Sequence, residues 1–200
     1  MNIVIHKGNN IGDEVPVGYS IFCDMDGTLI DTDYANYLAY SRALIEVTQK
    51  KYDIEFDHLK RLNRESLQKC IPSLTEHQLE NIVALKAKYF RDYLPKTRLN
   101  NDLANFIRRC NPMIQSILVT NSRQSRAIET LQYHNILDYF VRLIYQEDVL
   151  ESGLQCKYAY ALTLMKVDPN AVLVFENEIL EIKKAVLAGI PKNNINIRLT

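Results

Sequence analysis

Ile21-Phe22-Cys23-Asp24-Met25-Asp26-Gly27-Thr28 is the stretch that decides the fold. An apolar run stops in two carboxylates spaced i and i+2, and a glycine follows at once. If Tyr19 to Cys23 is a buried strand, its period-2 alternation puts both carboxylates on one face at the C-terminal end. In open parallel α/β sheets that edge is where ligands bind. Two like charges placed there call for a cation or a reaction. A calcium loop does not fit. With Gly27 as its sixth residue the first would be Phe22 and the twelfth Asp33, whereas an EF-hand needs an oxygen ligand first and usually glutamate last. A plain turn with two solvated aspartates leaves unexplained why the acids end an apolar strand.

Working outward, strand-length apolar runs recur at Ile117-Leu118-Val119 and Val172-Leu173-Val174-Phe175. They are nearly continuous, as in parallel strands covered on both faces. Between them lie helical patterns. Leu103, Phe106, Ile107 and Cys110 follow i, i+3, i+4, i+7, closed by Asn111-Pro112. Ile128 and Leu131 mark a helix after the second strand, and Tyr158, Ala161, Leu162 and Met165 one before the third. Ile179, Ile182 and Val186 form a further stripe, ended by Gly189 with Pro191 beyond. Ile195, Ile197 and Leu199 alternate like a last edge strand. The expectation is an α/β protein with a doubly wound parallel sheet.

Residues 33–96 break the alternation. Tyr37, Leu38, Ser41, Leu44 and Ile45 give one helical stripe; Leu79, Ile82, Val83, Phe90 and Tyr93 give another. Thr75 with Gln78 offers a capping box to the second helix. The domain reading is a core of 1–32 with 97–200 and a helical insertion at 33–96.

The chain has 200 residues, 47% hydrophobic and 24% charged, ordinary values for a globular protein with one sizeable core. Lys+Arg and Asp+Glu both number 24, so no net field points to nucleic acid or an anionic membrane. No run approaches the roughly 18 apolar residues of a membrane span, and Ile3-Val4-Ile5 is too short for a signal-peptide core. Cys23, Cys70, Cys110 and Cys156 lack CxxC spacing, which argues against zinc ribbons and favours free thiols in a reducing, cytoplasmic setting. His6, His58, His77 and His134 are isolated.

Phe22 to Thr32, with its Asp24-Met25-Asp26-Gly27-Thr28 centre, resembles the DxDGT first motif of the haloacid dehalogenase superfamily, in the subfamily with a small helical cap that includes phosphoglycolate phosphatase and β-phosphoglucomutase. Ile117 to Asn121 is similar to the second motif, a strand ending in Thr or Ser. Lys157 stands where the third-motif lysine belongs, and Val174 to Glu178 occupies the fourth. The resemblance implies that Asp24 is a nucleophile forming an aspartyl-phosphate and that Asp26 is the acid and base. Thr120, Asn121 and Lys157 would hold the phosphoryl group of a small phosphorylated substrate. Asp24, Asp26, Glu176 and Asn177 would hold Mg2+, which lets two anions approach. The insertion corresponds to the cap that closes over the site and selects the leaving group; Arg61, Arg64, Lys86, Lys88 and Arg91 are its basic candidates, and Arg123 a further anion contact.

The chain departs from the family at Asn177, where a second acid is usual. Asparagine keeps an oxygen donor but gives up a charge, so magnesium affinity should fall, with Glu176, Glu178 and Glu181 nearby to compensate. Two residues keep alternative readings. Thr120 could instead cap a helix. Lys157, whose charge opposes a helix N-terminus by about 0.3–1 kcal/mol, either meets an anion or is a solvated surface lysine. A dehalogenase reading is disfavoured by Asp26. A phosphomutase, or a phosphate-binding module without turnover, uses the same residues, and the oligomeric state is open.

Overall fold

Four consecutive buried residues, Ser20–Cys23, form the central strand of the protein. A computed structural model describes residues 15–57, 62–111 and 113–196. Ile3-Val4-Ile5, His6, His58, Arg61, Pro112, Ile197 and Leu199 lie outside the described residues. The chain divides into two units, residues 1–30 with 99–200, and residues 31–98.

In the first unit the strands are β1 (Ser20–Cys23), β4 (Gln115–Val119), β5 (Arg142–Ile144), β6 (Val172–Phe175) and β7 (Ile195–Asn196). They form one sheet in the order β5-β4-β1-β6-β7, with every pairing parallel. Two-residue strands β2 (Ile30–Asp31) and β3 (Arg98–Leu99) pair where the chain leaves this unit and returns. The helices are α4 (Asn101–Cys110), α5 (Gln124–Tyr133), α6 (Gln146–Glu151), α7 (Lys157–Met165) and α8 (Ile179–Leu187). The fold is the expected doubly wound parallel α/β sheet. Its chain order reverses beside β1, since β4 and β5 lie to one side and β6 and β7 to the other.

Both faces of the sheet are covered, which is why its strands read as continuous apolar runs. Ile21, Cys23, Leu118, Leu173 and Phe175 face one core with Leu103, Phe106 and Ile107 of α4 and Leu131 of α5. Phe22, Ile117, Val119, Val172 and Val174 face the other, with Tyr158, Ala161 and Leu162 of α7 and Ile182 of α8. Full burial of a residue such as Phe22 contributes about 1.5–3 kcal/mol. Phe106 and Phe175 meet edge to face with centroids 5.6 Å apart.

The helical unit holds α1 (Asp33–Thr48), α2 (Arg64–Cys70), α3 (Glu76–Tyr89) and a 3-10 turn over Phe90–Lys96. The Thr75–Gln78 capping box forms, and Asn63 with Ser66 makes a second one on α2. Its core joins Ala35, Ala39, Ala43 and Leu44 of α1 to Leu79 and Ile82 of α3. The expected α1 stripe is rotated: Ile45 is exposed, and the buried side carries three alanines. Small side chains there let another helix approach closely, so bulk does not mark the inner face.

α8 is rotated in the same sense. Its buried residues are Glu181, Ile182 and Ala185, while Ile179 is 71% and Val186 41% exposed. No helix among the described residues is long and apolar enough to cross a membrane. All four cysteines are free; Cys23 is buried and Cys70 exposed.

Candidate active site

The parallel sheet delivers three chain segments to one edge. Asp24 follows β1, Thr120 follows β4 and Glu176 follows β6. Cys23 pairs with Leu118 and with Phe175, so the central segment is held on both sides up to its last residue. The backbone N–H of Asp24 continues this, donating to Phe175 O at 3.0 Å.

Lys157, at the first position of α7, is buried and reaches that edge. Its Nζ lies 2.6 Å from Asp24 Oδ1 and 2.8 Å from Glu176 Oε2. The solvated-lysine reading is thereby removed, and the anion that a cation at a helix N-terminus wants is supplied by two carboxylates. Glu176 is fully buried. Its Oε1 accepts from the N–H groups of Asn177 and Glu178, both at 2.8 Å, and its Oε2 also accepts from Tyr158 Oη at 2.7 Å. A buried carboxylate needs such donors to remain charged.

Asp26 is served by a different cation. Arg126, in the first turn of α5, donates to Oδ1 at 2.5 Å and to Oδ2 at 3.1 Å. Ser122 Oγ donates to Oδ2 at 2.5 Å and accepts from Arg126 at 2.6 Å. Thr120 is buried, and its Oγ1 accepts from Ser122 N at 3.0 Å. It does not cap α5, which begins at Gln124 and whose N-cap residue, Arg123, makes no side-chain cap; its own hydroxyl hydrogen has no acceptor among the described residues. Asn121 and Arg123 are exposed.

Asn177 lies over the first-motif loop. Thr28 Oγ1 donates to its Oδ1 at 3.0 Å, and a side-chain carbon on Gly27, whose φ is +80°, would collide with its Nδ2. Glu178 is exposed, and Glu181 pairs with Lys184 at 2.7 Å. In the helical unit Arg64 pairs with Glu76, Lys86 lies 5.2 Å from the Tyr40 ring, and Lys88 and Arg91 are exposed.

Burial pushes the Asp24 carboxyl up to about 7, with Glu176 adding to the rise and Lys157 opposing it. For Lys157 burial acts downward, but the two carboxylates on it outweigh burial and hold its pKa above the usual lysine value.

Magnesium requires oxygen donors and retains several waters, being held by one or two carboxylates and substrate phosphate. Asp24 Oδ2 has no hydrogen-bond donor among the described residues, and Asn177 supplies a carboxamide oxygen. That pair fits the ion in donor type, with a single charge. No cluster of three or more His, Cys, Asp or Glu able to hold a metal occurs among the described residues. The carboxylate oxygens of Asp26 and Glu176, expected as ligands, each accept hydrogen bonds from protein donors, as does Asn177 Oδ1 from Thr28.

Sequence reading did not find Ser122, Arg126 or Tyr158 as site residues. Ser122 precedes α5 and Arg126 lies in its first turn, so neither belongs to a stripe that sequence spacing marks. Tyr158 looked like one residue of an apolar stripe.

Residues 21–194 match the family model described as haloacid dehalogenase-like hydrolase. The chain belongs to that family of hydrolases. Among solved structures it is similar to a predicted phosphoglycolate phosphatase from Haemophilus somnus 129Pt, at 17% identity and a TM-score of 0.71, covering 88% of this chain and 84% of that one. It is also similar to a candidate β-phosphoglucomutase from Thermotoga maritima, at 22% identity and TM-score 0.62, covering 88% and 83%. A haloacid dehalogenase-like family hydrolase from Streptococcus pneumoniae aligns at 16% identity and TM-score 0.68, covering 86% and 81%. These likenesses establish the fold. No curated protein matches the chain in sequence.

Proposed function

We propose that this protein is a magnesium-dependent phosphomonoester hydrolase that acts on a small organic phosphate through an aspartyl-phosphate. The observation that carries the reading is Asp24 itself: Lys157 fixes its Oδ1, and its Oδ2 has no donor among the described residues, at the edge where sheet ligands bind. A held carboxylate with one open oxygen is a nucleophile already oriented for in-line attack.

In this reading Asp24 attacks phosphorus, the bond from phosphorus to the leaving oxygen breaks, and Asp26 protonates that oxygen. Lys157 and the Thr120 hydroxyl hydrogen-bond the equatorial phosphoryl oxygens, where charge is greatest. Asp26 accepts the proton of the water that hydrolyses the intermediate. Asp24 and Asn177 would hold magnesium, which when bound neutralises charge between the carboxylate and the phosphoryl oxygens. The unit of residues 31–98 is assigned as the cap.

Hydrolysis of an aryl phosphate with magnesium tests the proposal. Asp24→Asn should lose turnover by several orders of magnitude, because removal of a covalent nucleophile leaves only residual catalysis; retained turnover would refute it. The single charge at the metal position gives a second expectation. Asn177→Asp should lower the magnesium concentration for half-maximal activity, on the order of tenfold for one added ligand charge. An unchanged half-saturation would remove Asn177 from the metal site.

A further inference from the structure

Four donors converge on Glu176, and one of them belongs to a group that the reaction above does not use. Its Oε1 accepts from the backbone N–H groups of Asn177 and Glu178, both at 2.8 Å. Its Oε2 accepts from Lys157 Nζ at 2.8 Å and from Tyr158 Oη at 2.7 Å. Tyr158 is 0% exposed and sits in one core with Phe22, Ile117 and Val174. A ring packed on all sides is held in place, whereas Lys157 hangs on a flexible four-carbon stem. The two side chains are neighbours in sequence and share one acceptor oxygen, and Lys157 Nζ lies 5.1 Å from the centre of the Tyr158 ring. The rigid member of the pair sets where Glu176 holds the flexible one.

An ammonium group has three N–H donors. One of those on Lys157 meets Asp24 Oδ1 at 2.6 Å and one meets Glu176 Oε2, which leaves the third for a phosphoryl oxygen. In the first half of the reaction Asp24 gives up an electron pair, and its charge fades. In the second half Asp24 is the leaving group. Water oxygen bonds to phosphorus, the bond from phosphorus to Asp24 Oδ2 breaks with its pair returning to the carboxylate, and the water proton goes to Asp26. Charge then reappears on Asp24, and a donor already in place at Oδ1 stabilises it. While the phosphoenzyme lasts, however, Oδ1 is an uncharged carbonyl oxygen, and the phosphoryl oxygens compete for the ammonium. Glu176 is then the carboxylate that still holds Lys157.

We propose that the Tyr158 hydroxyl, acting through Glu176, keeps Lys157 at Asp24 Oδ1 for the lifetime of the phosphoenzyme, so that it serves the departure of Asp24 from phosphorus and not its attack. The inference rests on the aspartyl-phosphate reading above. Tyr158 Oη reaches Glu176, which in turn reaches Lys157, so Tyr158 is a positioning residue.

The test is a single turnover, with magnesium and enzyme in excess, of aryl phosphates activated enough that wild type releases the phenol ahead of phosphate. Phenol release reports the first half of the reaction and inorganic phosphate release the second. Tyr158→Phe keeps the ring and removes only the hydroxyl. Its phosphate release should slow about tenfold, short of the roughly hundredfold that outright loss of a donor to developing charge costs, while phenol release stays within about twofold of wild type. Tyr158→Phe added to Glu176→Gln should slow phosphate release no further than Glu176→Gln alone, because the tyrosine acts through the glutamate.

Unchanged phosphate release in Tyr158→Phe would overturn the proposal, whether or not Glu176→Gln folds. So would an equal slowing of both halves, the signature of a tyrosine that only packs, or full additivity in the double variant. Turnover that survives in Asp24→Asn, or is absent for every ester in wild type, would instead overturn the aspartyl-phosphate reading beneath it. Phenol and phosphate released together from every ester, by wild type and variant alike, would do the same.

Discussion

Lys157 is one cation serving two carboxylates, and that imbalance sets the chemistry of Asp24. Burial disfavours the charged carboxyl, Lys157 offsets only part of the cost, and the carboxyl rises to about 7. A raised value means that the folded protein binds this proton more tightly than the unfolded chain does. The stability so gained is complete below the ordinary carboxylate range and is lost as pH climbs through about 7. Under the proposed function attack on phosphorus needs the ionised form, so kcat/KM with magnesium should show an acidic limb, rising with pH, to which Asp24 contributes. Glu176→Gln removes a negative neighbour that raises Asp24, and the acidic limb should move to lower pH. The same change turns an amide N–H2 toward donors that now meet an acceptor, at a cost of about 1–3 kcal/mol. A pH–rate profile with a denaturant melt checks both. A limb that stays in place would show that Glu176 does not act on Asp24.

At the scale of the element, the loop after β1 is closed by contacts between distant segments. Gly27 takes a left-handed φ of +80°, and Asn177 packs where a side chain would be. Gly27→Ala should cost about 2–3 kcal/mol, from left-handed strain and loss of the Thr28–Asn177 hydrogen bond. A urea midpoint measures it, and a shift equivalent to less than about 0.5 kcal/mol, the scale of an ordinary surface substitution, would mean that the loop accommodates the methyl. The helices were less legible than the strands for a related reason. On α1 the inner face is made by Ala35, Ala39 and Ala43, and on α8 by Ala185 beside Glu181. A stripe sought among large apolar residues falls on the wrong side when the true contact is small.

For the whole molecule, the doubly wound sheet was legible because burial on both faces leaves little room for polar residues in β1, β4 and β6. β5 was not, since Arg142–Ile144 is a three-residue edge strand beginning with an exposed arginine. Asp24, Thr120 and Glu176 share one sheet edge because the topology gathers whatever follows each strand, whereas Lys157, at the head of α7, was singled out by resemblance to the family's third motif. Arg126 and Tyr158 were hidden because their contacts span 100 and 18 residues, and only the fold joins them. The same topology separates two time scales. β1 is buried and paired on both sides, so the backbone beneath Asp24 opens only with the sheet, in an event as slow as unfolding. The hydrogen bonds of Arg126 and Ser122 to Asp26 are made by side chains alone, which move faster than the sheet opens. The position of Asp24 is therefore as durable as the sheet, whereas that of Asp26 rests on two side chains from α5 and the turn before it.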